Sequence, residues 1–196
     1  MKKYIEIGEF ADDKIRCRDM LPELFTRLGY KTGVEVGVQR GYFSRHILAN
    51  WAGNLTCVDP WKHFDGGEYV DIANLSQLEQ DAIYSEAVDR LHIFNPRVSI
   101  VRETSLDAAS MLKAYGDKVD FVYIDALHTY EGCKSDIEAW VDLINPGGML
   151  CGHDYLNGNL PCGIFGVKRA VDEFAASRGL KVTTTIEQFP SWMIRV

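Results

Sequence analysis

Two acids and two imidazoles fall in two short windows of this chain. Asp125 and His128 follow one apolar run, and His153 and Asp154 follow another. Carboxylates and imidazoles gathered in one spot can hold a divalent ion. Oxygen ligands favour Mg²⁺, Ca²⁺ or Mn²⁺, and imidazole admits Zn²⁺ or Fe²⁺. An ion touching a substrate hydroxyl would lower its pKa and fix it for reaction. Without an ion, His128 or His153 could act as a general base, because imidazole titrates near neutral pH. The plainer alternative has His128 opening a helix and Asp154 capping a turn ahead of Gly158. Neighbours on an extended strand face opposite sides, so His153 and Asp154 both ligate only where the strand has already turned. The candidate metal set is Asp125, His153 and Asp154. The candidate catalytic set is Asp125, His128 and His153.

A second constellation lies earlier in the chain. Val34-Glu35-Val36-Gly37-Val38-Gln39-Arg40-Gly41 runs from an apolar strand through a glycine turn toward a helix. Past Gly37 by 22 residues, the run Leu55-Thr56-Cys57-Val58 ends in Asp59. Strand, glycine turn and an acid at the tip of the next strand make a nucleotide-type cofactor site. The glycines let backbone approach a ligand, and the acid can hold a ribose diol. The GxGxxG dinucleotide pattern is absent, since Gln39 and Arg40 fill the middle of the turn. The alternative is a purely structural turn and a strand-end carboxylate facing water. Glu35 lies inside the apolar strand, where a carboxylate is costly unless hydrogen-bonded or paired. It either shapes the turn or faces a positively charged ligand group.

The elements that must position these residues alternate regularly. Strands are expected at 34–36, 55–58, 98–101, 119–124 and 149–151, with helices over 42–51, 75–91, 105–115, 131–143 and 166–177 between and after them. Two strands, 181–186 and 192–196, close the chain through a turn at Pro190. Near-continuous apolar strands alternating with helices predict a doubly wound α/β fold. Its seven-stranded sheet is mostly parallel with helices on both faces, and the terminal hairpin supplies an antiparallel strand. The expected organisation is a single domain, 1–196, with a helical lead-in at 1–30. Segments 60–95 and 155–165 would cover a substrate, with Tyr155, Phe165 and residues 60–75 as the better candidates for its wall.

Composition narrows the partners. The formal net charge of −7 argues against non-specific nucleic-acid binding, which needs clustered Lys and Arg. No window approaches the ~20 apolar residues of a membrane span. The five cysteines show no CxxC spacing, which implies a reducing cytoplasm and no disulfide framework. The expected partner is a small-molecule substrate, and the sequence is compatible with a homo-oligomer.

With these residues in view, the chain resembles the class I S-adenosylmethionine-dependent methyltransferases. The resemblance is carried by the glycine-turn run above, Cys57-Val58-Asp59-Pro60-Trp61, Val119-Asp120-Phe121-Val122-Tyr123-Ile124-Asp125-Ala126-Leu127-His128, and Pro146-Gly147-Gly148-Met149-Leu150-Cys151-Gly152-His153-Asp154-Tyr155. It extends from about residue 31 to the end. It is closest to a branch of small bacterial-type O-methyltransferases whose fourth- and fifth-strand acids can bind a divalent metal. The resemblance implies S-adenosylmethionine as cofactor and a hydroxyl oxygen as acceptor. It sets Glu35, Gly37 and Gly41 against the methionine end and Asp59 on the ribose. Trp61 would lie near the adenine, Glu103 to Ser105 at the adenine edge, and Asp125 toward the sulfonium and substrate. Gln39 departs from the family, where many members have a third glycine. Two other function classes remain: a nicotinamide-dependent oxidoreductase on a similar sheet, and a non-catalytic cofactor-binding module.

Overall fold

A computed structural model describes residues 15–65 and 73–196. In chain order its elements are α1 (Leu21–Arg27), β1 (Thr32–Val36), α2 (Tyr42–Asn50), β2 (Asn54–Val58), α3 (Gln77–Leu91), β3 (Val98–Val101), α4 (Ser105–Tyr115), β4 (Val119–Ile124), α5 (Tyr130–Trp140), β5 (Ile144–Gly152), β6 (Gly158–Leu160), β7 (Gly163–Phe165), α6 (Val167–Arg178), β8 (Val182–Thr184) and β9 (Trp192–Arg195).

Seven strands form one sheet in the order β3-β2-β1-β4-β5-β9-β8. The pairs from β3 through β5 are parallel, and β9 runs antiparallel to both β5 and β8. The doubly wound, seven-stranded arrangement expected from the sequence is therefore present, with its one reversed strand in the terminal hairpin. The chain builds outward from β1 to β3, then returns to add β4 on the other side. That reversal opens a crevice at the carboxyl ends of β1 and β4.

Alternation along the strands feeds two cores. On one face Phe121, Tyr123, Cys57 and Met149 meet Phe25 of α1, Ile47 of α2 and Leu91 of α3. On the other, Val34, Val36, Val122 and Leu150 meet Ala108 of α4, Ile137 and Trp140 of α5 and Val171 of α6. Burial of each large apolar side chain contributes about 1.5–3 kcal/mol, so both faces hold the sheet. Phe121 stacks on Phe25 with centroids 3.8 Å apart. A Cβ at Gly33 would stand 2.1 Å from that ring, which is why the second position of β1 is a glycine.

Several segments differ in detail from expectation, among them β5, which begins at Ile144 rather than 149, after a helix that ends at Trp140 rather than 143. The lead-in is helical only over Arg18–Met20 and α1, because Pro22 starts a fresh helical turn; residues 1–14 lie outside the described residues. The expected strand at 181–186 stops at Thr184, where Thr185 N–H turns to Ser191 O and Ile186 N–H donates to Arg16 O. The 155–165 segment, expected to cover a substrate, is built around the β6–β7 hairpin. Within 60–75, residues 66–72, which include Tyr69, lie outside the described residues. No described helix is long and apolar enough to cross a membrane. All five cysteines are free.

Candidate active site

Strand register lines the site up. Val58 pairs with Val36, Val36 with Ile124, and Ile124 with Gly152. The residues that follow these matched ends are Asp59, Gly37, Asp125 and His153. They form a row along the carboxyl edge of the sheet.

Gly37 must be a glycine. Its φ is 91°, and a Cβ there would stand 1.8 Å from the Asp125 carbonyl oxygen. Gln39 takes φ 49° and Gly41 φ 72°, so the turn into α2 uses the left-handed region three times. Gln39 is held there from two sides. Its N–H donates to Asp59 Oδ2 (2.9 Å), and its carbonyl accepts from Trp61 Nε1 (2.8 Å). Asp59 Oδ2 also accepts from Val38 N (3.0 Å), and Oδ1 accepts from Trp61 N (2.8 Å). Burial pushes the Asp59 carboxyl up, while the amides of Gln39, Trp61 and Val38 oppose the rise. Each carboxylate oxygen carries two lone pairs, so Oδ1 retains acceptor capacity. Trp61 is 1% exposed and packs on Tyr84, so it braces the turn rather than standing open in the crevice.

Below the turn, Glu35 shares a sheet face with Cys57 and Tyr123. Loss of water pushes its carboxyl up to about 8, with the nearby Ser44 hydroxyl and Arg18 opposing the rise. Glu35 Oε2, Ser44 Oγ and Tyr123 Oη are all buried without a partner in hydrogen-bond geometry. Such orphans are costly in a finished interior.

The acid and imidazole windows do converge. Asp154 takes φ 54°, so the chain has left the strand and the side chains of His153 and Asp154 both reach the same place. His128 Nε2 lies 2.9 Å from Asp154 Oδ2, and His153 Nδ1 lies 3.0 Å from Asp154 Oδ1. Burial alone would raise the Asp154 pKa. Hydrogen bonds from His128 and His153 outweigh it and hold the carboxyl well below its usual range. Asp125 Oδ1 is 3.7 Å from His128 Nε2 and 4.0 Å from His153 Nδ1. Ligand atoms of Asp125, His128 and Asp154 lie within 4.8 Å of one another. That mixed oxygen and nitrogen set fits a divalent ion, with His128 in the grouping where sequence reasoning names His153.

The remaining expected residues are dispersed. Glu103 is exposed. Ser105 Oγ accepts from Trp140 Nε1 (2.9 Å) and faces the buried Asp136, so this side chain is committed to α5. Tyr155 Oη binds Asp172 and Lys168 on α6. Phe165 of β7, by contrast, stacks on the His128 ring at 5.0 Å.

Sequence reasoning misses Arg18. Its Nη1 lies 3.2 Å from Asp125 Oδ2, and its guanidinium caps the Phe43 ring at 4.9 Å. The contact with Asp125 spans 107 positions, so no local period announces it.

A row of acids around a glycine turn can hold a polyhydroxylated, positively charged ligand, and the adjacent imidazoles can take a proton. Known proteins can be set beside this geometry. The structure is similar to that of the O-methyltransferase from Bacillus cereus in complex with SAH, with a TM-score of 0.67 and 16% identity over 91% of this chain and 79% of that one. It is also similar to the O-methyltransferase TomG from Streptomyces achromogenes, involved in tomaymycin synthesis and solved in complex with SAM. There the TM-score is 0.66 with 16% identity over 91% of this chain and 78% of that one. No curated protein sequence matches significantly. The family model described as "Methyltransferase domain" matches residues 34–155, from the strand before the glycine turn to the residue after Asp154, and this chain belongs to that family.

Proposed function

We propose that this protein transfers a methyl group from S-adenosylmethionine to a hydroxyl oxygen of a small molecule. The supporting observation is the row Asp59, Gly37, Asp125 and His153, which can meet one extended nucleoside along its length. Asp59, with spare acceptor capacity beside the turn, receives the ribose hydroxyls. Gly37 and Gly41 let backbone close on the methionine end, and Glu35 offers a buried carboxyl to its ammonium. Glu103 and the backbone of Ser105 flank the adenine edge, with Trp61 supporting the turn behind it. Asp125 faces the sulfonium and the acceptor.

The reaction asks little covalent help from the protein. The acceptor oxygen attacks the methyl carbon, the sulfur–methyl bond breaks, and its electron pair stays on sulfur. The chain's work is to align the oxygen, exclude water and take its proton. His128 and His153, both hydrogen-bonded to Asp154, stand ready to receive that proton beside Asp125. Asp125, Asp154 and one of these imidazoles would hold a divalent ion, which supplies polarisation of the acceptor hydroxyl when bound. The segments 60–95 and 155–165 cover the acceptor, with Phe165 against His128 as the wall nearest the base. The missing GxGxxG pattern speaks against the nicotinamide alternative.

Calorimetry with the purified protein tests this reading. S-adenosylmethionine binds at about micromolar Kd. Asp59→Ala weakens that binding roughly tenfold or more through the lost ribose hydrogen bonds. Asp125→Ala mainly abolishes turnover, and chelation lowers turnover until Mg²⁺ or Mn²⁺ is restored. No heat at millimolar ligand would sink the proposal. Unchanged affinity in Asp59→Ala would remove the ribose role, and full turnover after chelation would leave the chemistry to histidine alone.

A further inference from the structure

We propose that Arg18 binds the carboxylate of the methyl donor's methionine tail, making the segment ahead of α1 part of the cofactor site. The inference rests on the reading of the crevice as an S-adenosylmethionine site.

The backbone around Arg18 is tied down from two sides. Arg16 O accepts from Ile186 N (3.2 Å), and Arg18 N–H donates to Glu187 Oε1 (2.9 Å). Glu187 Oε1 is itself held by the hydroxyls of Thr185 (2.9 Å) and Ser191 (3.2 Å). On the other side, Asp19 O meets His46 Nε2 of α2 (2.8 Å). This strap fixes where the Arg18 side chain starts. From there it crosses the Phe43 ring and ends at Asp125, with about a third of its surface still open.

The charge pattern asks for a cation at this point. Glu35, Asp59 and Asp125 all lie along the crevice, and acids alone would repel an amino-acid carboxylate. The methionine tail carries an ammonium and a carboxylate on one carbon. Glu35 suits the ammonium. A guanidinium has five N–H donors in a planar fork and matches a carboxylate two-pronged. Two other cations on this edge are engaged elsewhere: Arg40 pairs with Glu86 and Arg102 with Asp81, both on α3. Beside Arg18, Glu35 Oε2 is buried and unpartnered, as expected where a polar ligand group completes the interior, and Tyr123 Oη faces the Arg18 guanidinium itself.

The test compares two ligands that differ only in that carboxylate. Dissociation constants are measured for S-adenosylmethionine and decarboxylated S-adenosylmethionine with the full-length wild type, Arg18→Gln and Arg18→Lys. The wild type is expected to prefer the carboxylated ligand by about tenfold or more. In Arg18→Gln that preference collapses through loss of S-adenosylmethionine affinity alone, and Arg18→Lys keeps part of it. Equal weakening of both ligands would assign Arg18 a structural role through Asp125 and overturn the inference. An unchanged preference would overturn it as well. Failure of the wild type to bind either ligand would instead remove the cofactor reading beneath it.

Discussion

Glu35 is an acid buried in an apolar strand, and the sign of its effect with pH is definite. Burial raises its carboxyl from 4.5 to about 8, so between those values the folded state binds more protons than the unfolded one. Stability then falls as pH rises through that window and levels off above it. Glu35→Gln removes the titration. The ligand-free variant is therefore expected to be more stable than wild type at pH 9, by on the order of a few kcal/mol, with the margin gone near pH 5. Urea unfolding at a series of pH values measures this. A margin independent of pH would show that the acid is not paying for burial. An acid in an apolar strand is legible from sequence, which is how Glu35 and Asp59 announce themselves. Arg18 is not, because a lone cation ahead of a helix looks like any solvated side chain until the fold brings it to Asp125.

At the scale of elements, the β1–α2 turn is rigid at one glycine and yielding at the other. A methyl group at Gly37 meets a backbone carbonyl oxygen at 1.8 Å, whereas at Gly41 it meets the flexible Leu91 Cδ1 at 3.2 Å. Gly37→Ala is expected to cost about 3 kcal/mol or more and to abolish cofactor binding. Gly41→Ala costs about 1–2 kcal/mol, the price of the left-handed conformation. Denaturation midpoints rank the two, and equal losses would show that conformation alone governs both. The sequence pattern locates this turn because strand, glycine and helix are local signals. It cannot reveal that Trp61 and Asp59 occupy Gln39 from both sides, since those contacts close over about twenty residues. The β6–β7 hairpin escapes for a related reason. Its three-residue strands are too short for alternation to show, and only pairing defines them.

Across the whole molecule, the crevice joins the half built outward from β1 with the half that begins at β4. A ligand bound there contacts both, so it should stabilise the fold as one cooperative unit. S-adenosylhomocysteine at about 100 times its Kd adds roughly 2.7 kcal/mol, which raises the melting temperature by roughly 5–10 °C for a chain of this length. An unmoved melting curve at saturating ligand would contradict this coupling. The doubly wound, mostly parallel sheet was legible from alternation and the closing hairpin, because parallel strands with covering helices admit few arrangements, whereas the strand order β3-β2-β1-β4-β5-β9-β8 shows only in the fold. The strap was not legible either, because its ties to the β8–β9 connection depend on the assembled sheet.

The paired strand ends carry one more implication. Sliding β4 by a single residue against β1 would bring Ala126 beside Gly37 and exchange Phe121 and Tyr123 with Val122 and Ile124 between the two cores. Chemistry and folding thus share one alignment and cannot drift apart. Descendants of this chain can acquire new acceptors by lengthening or rewriting the connections that leave this edge, while the strands themselves stay in step.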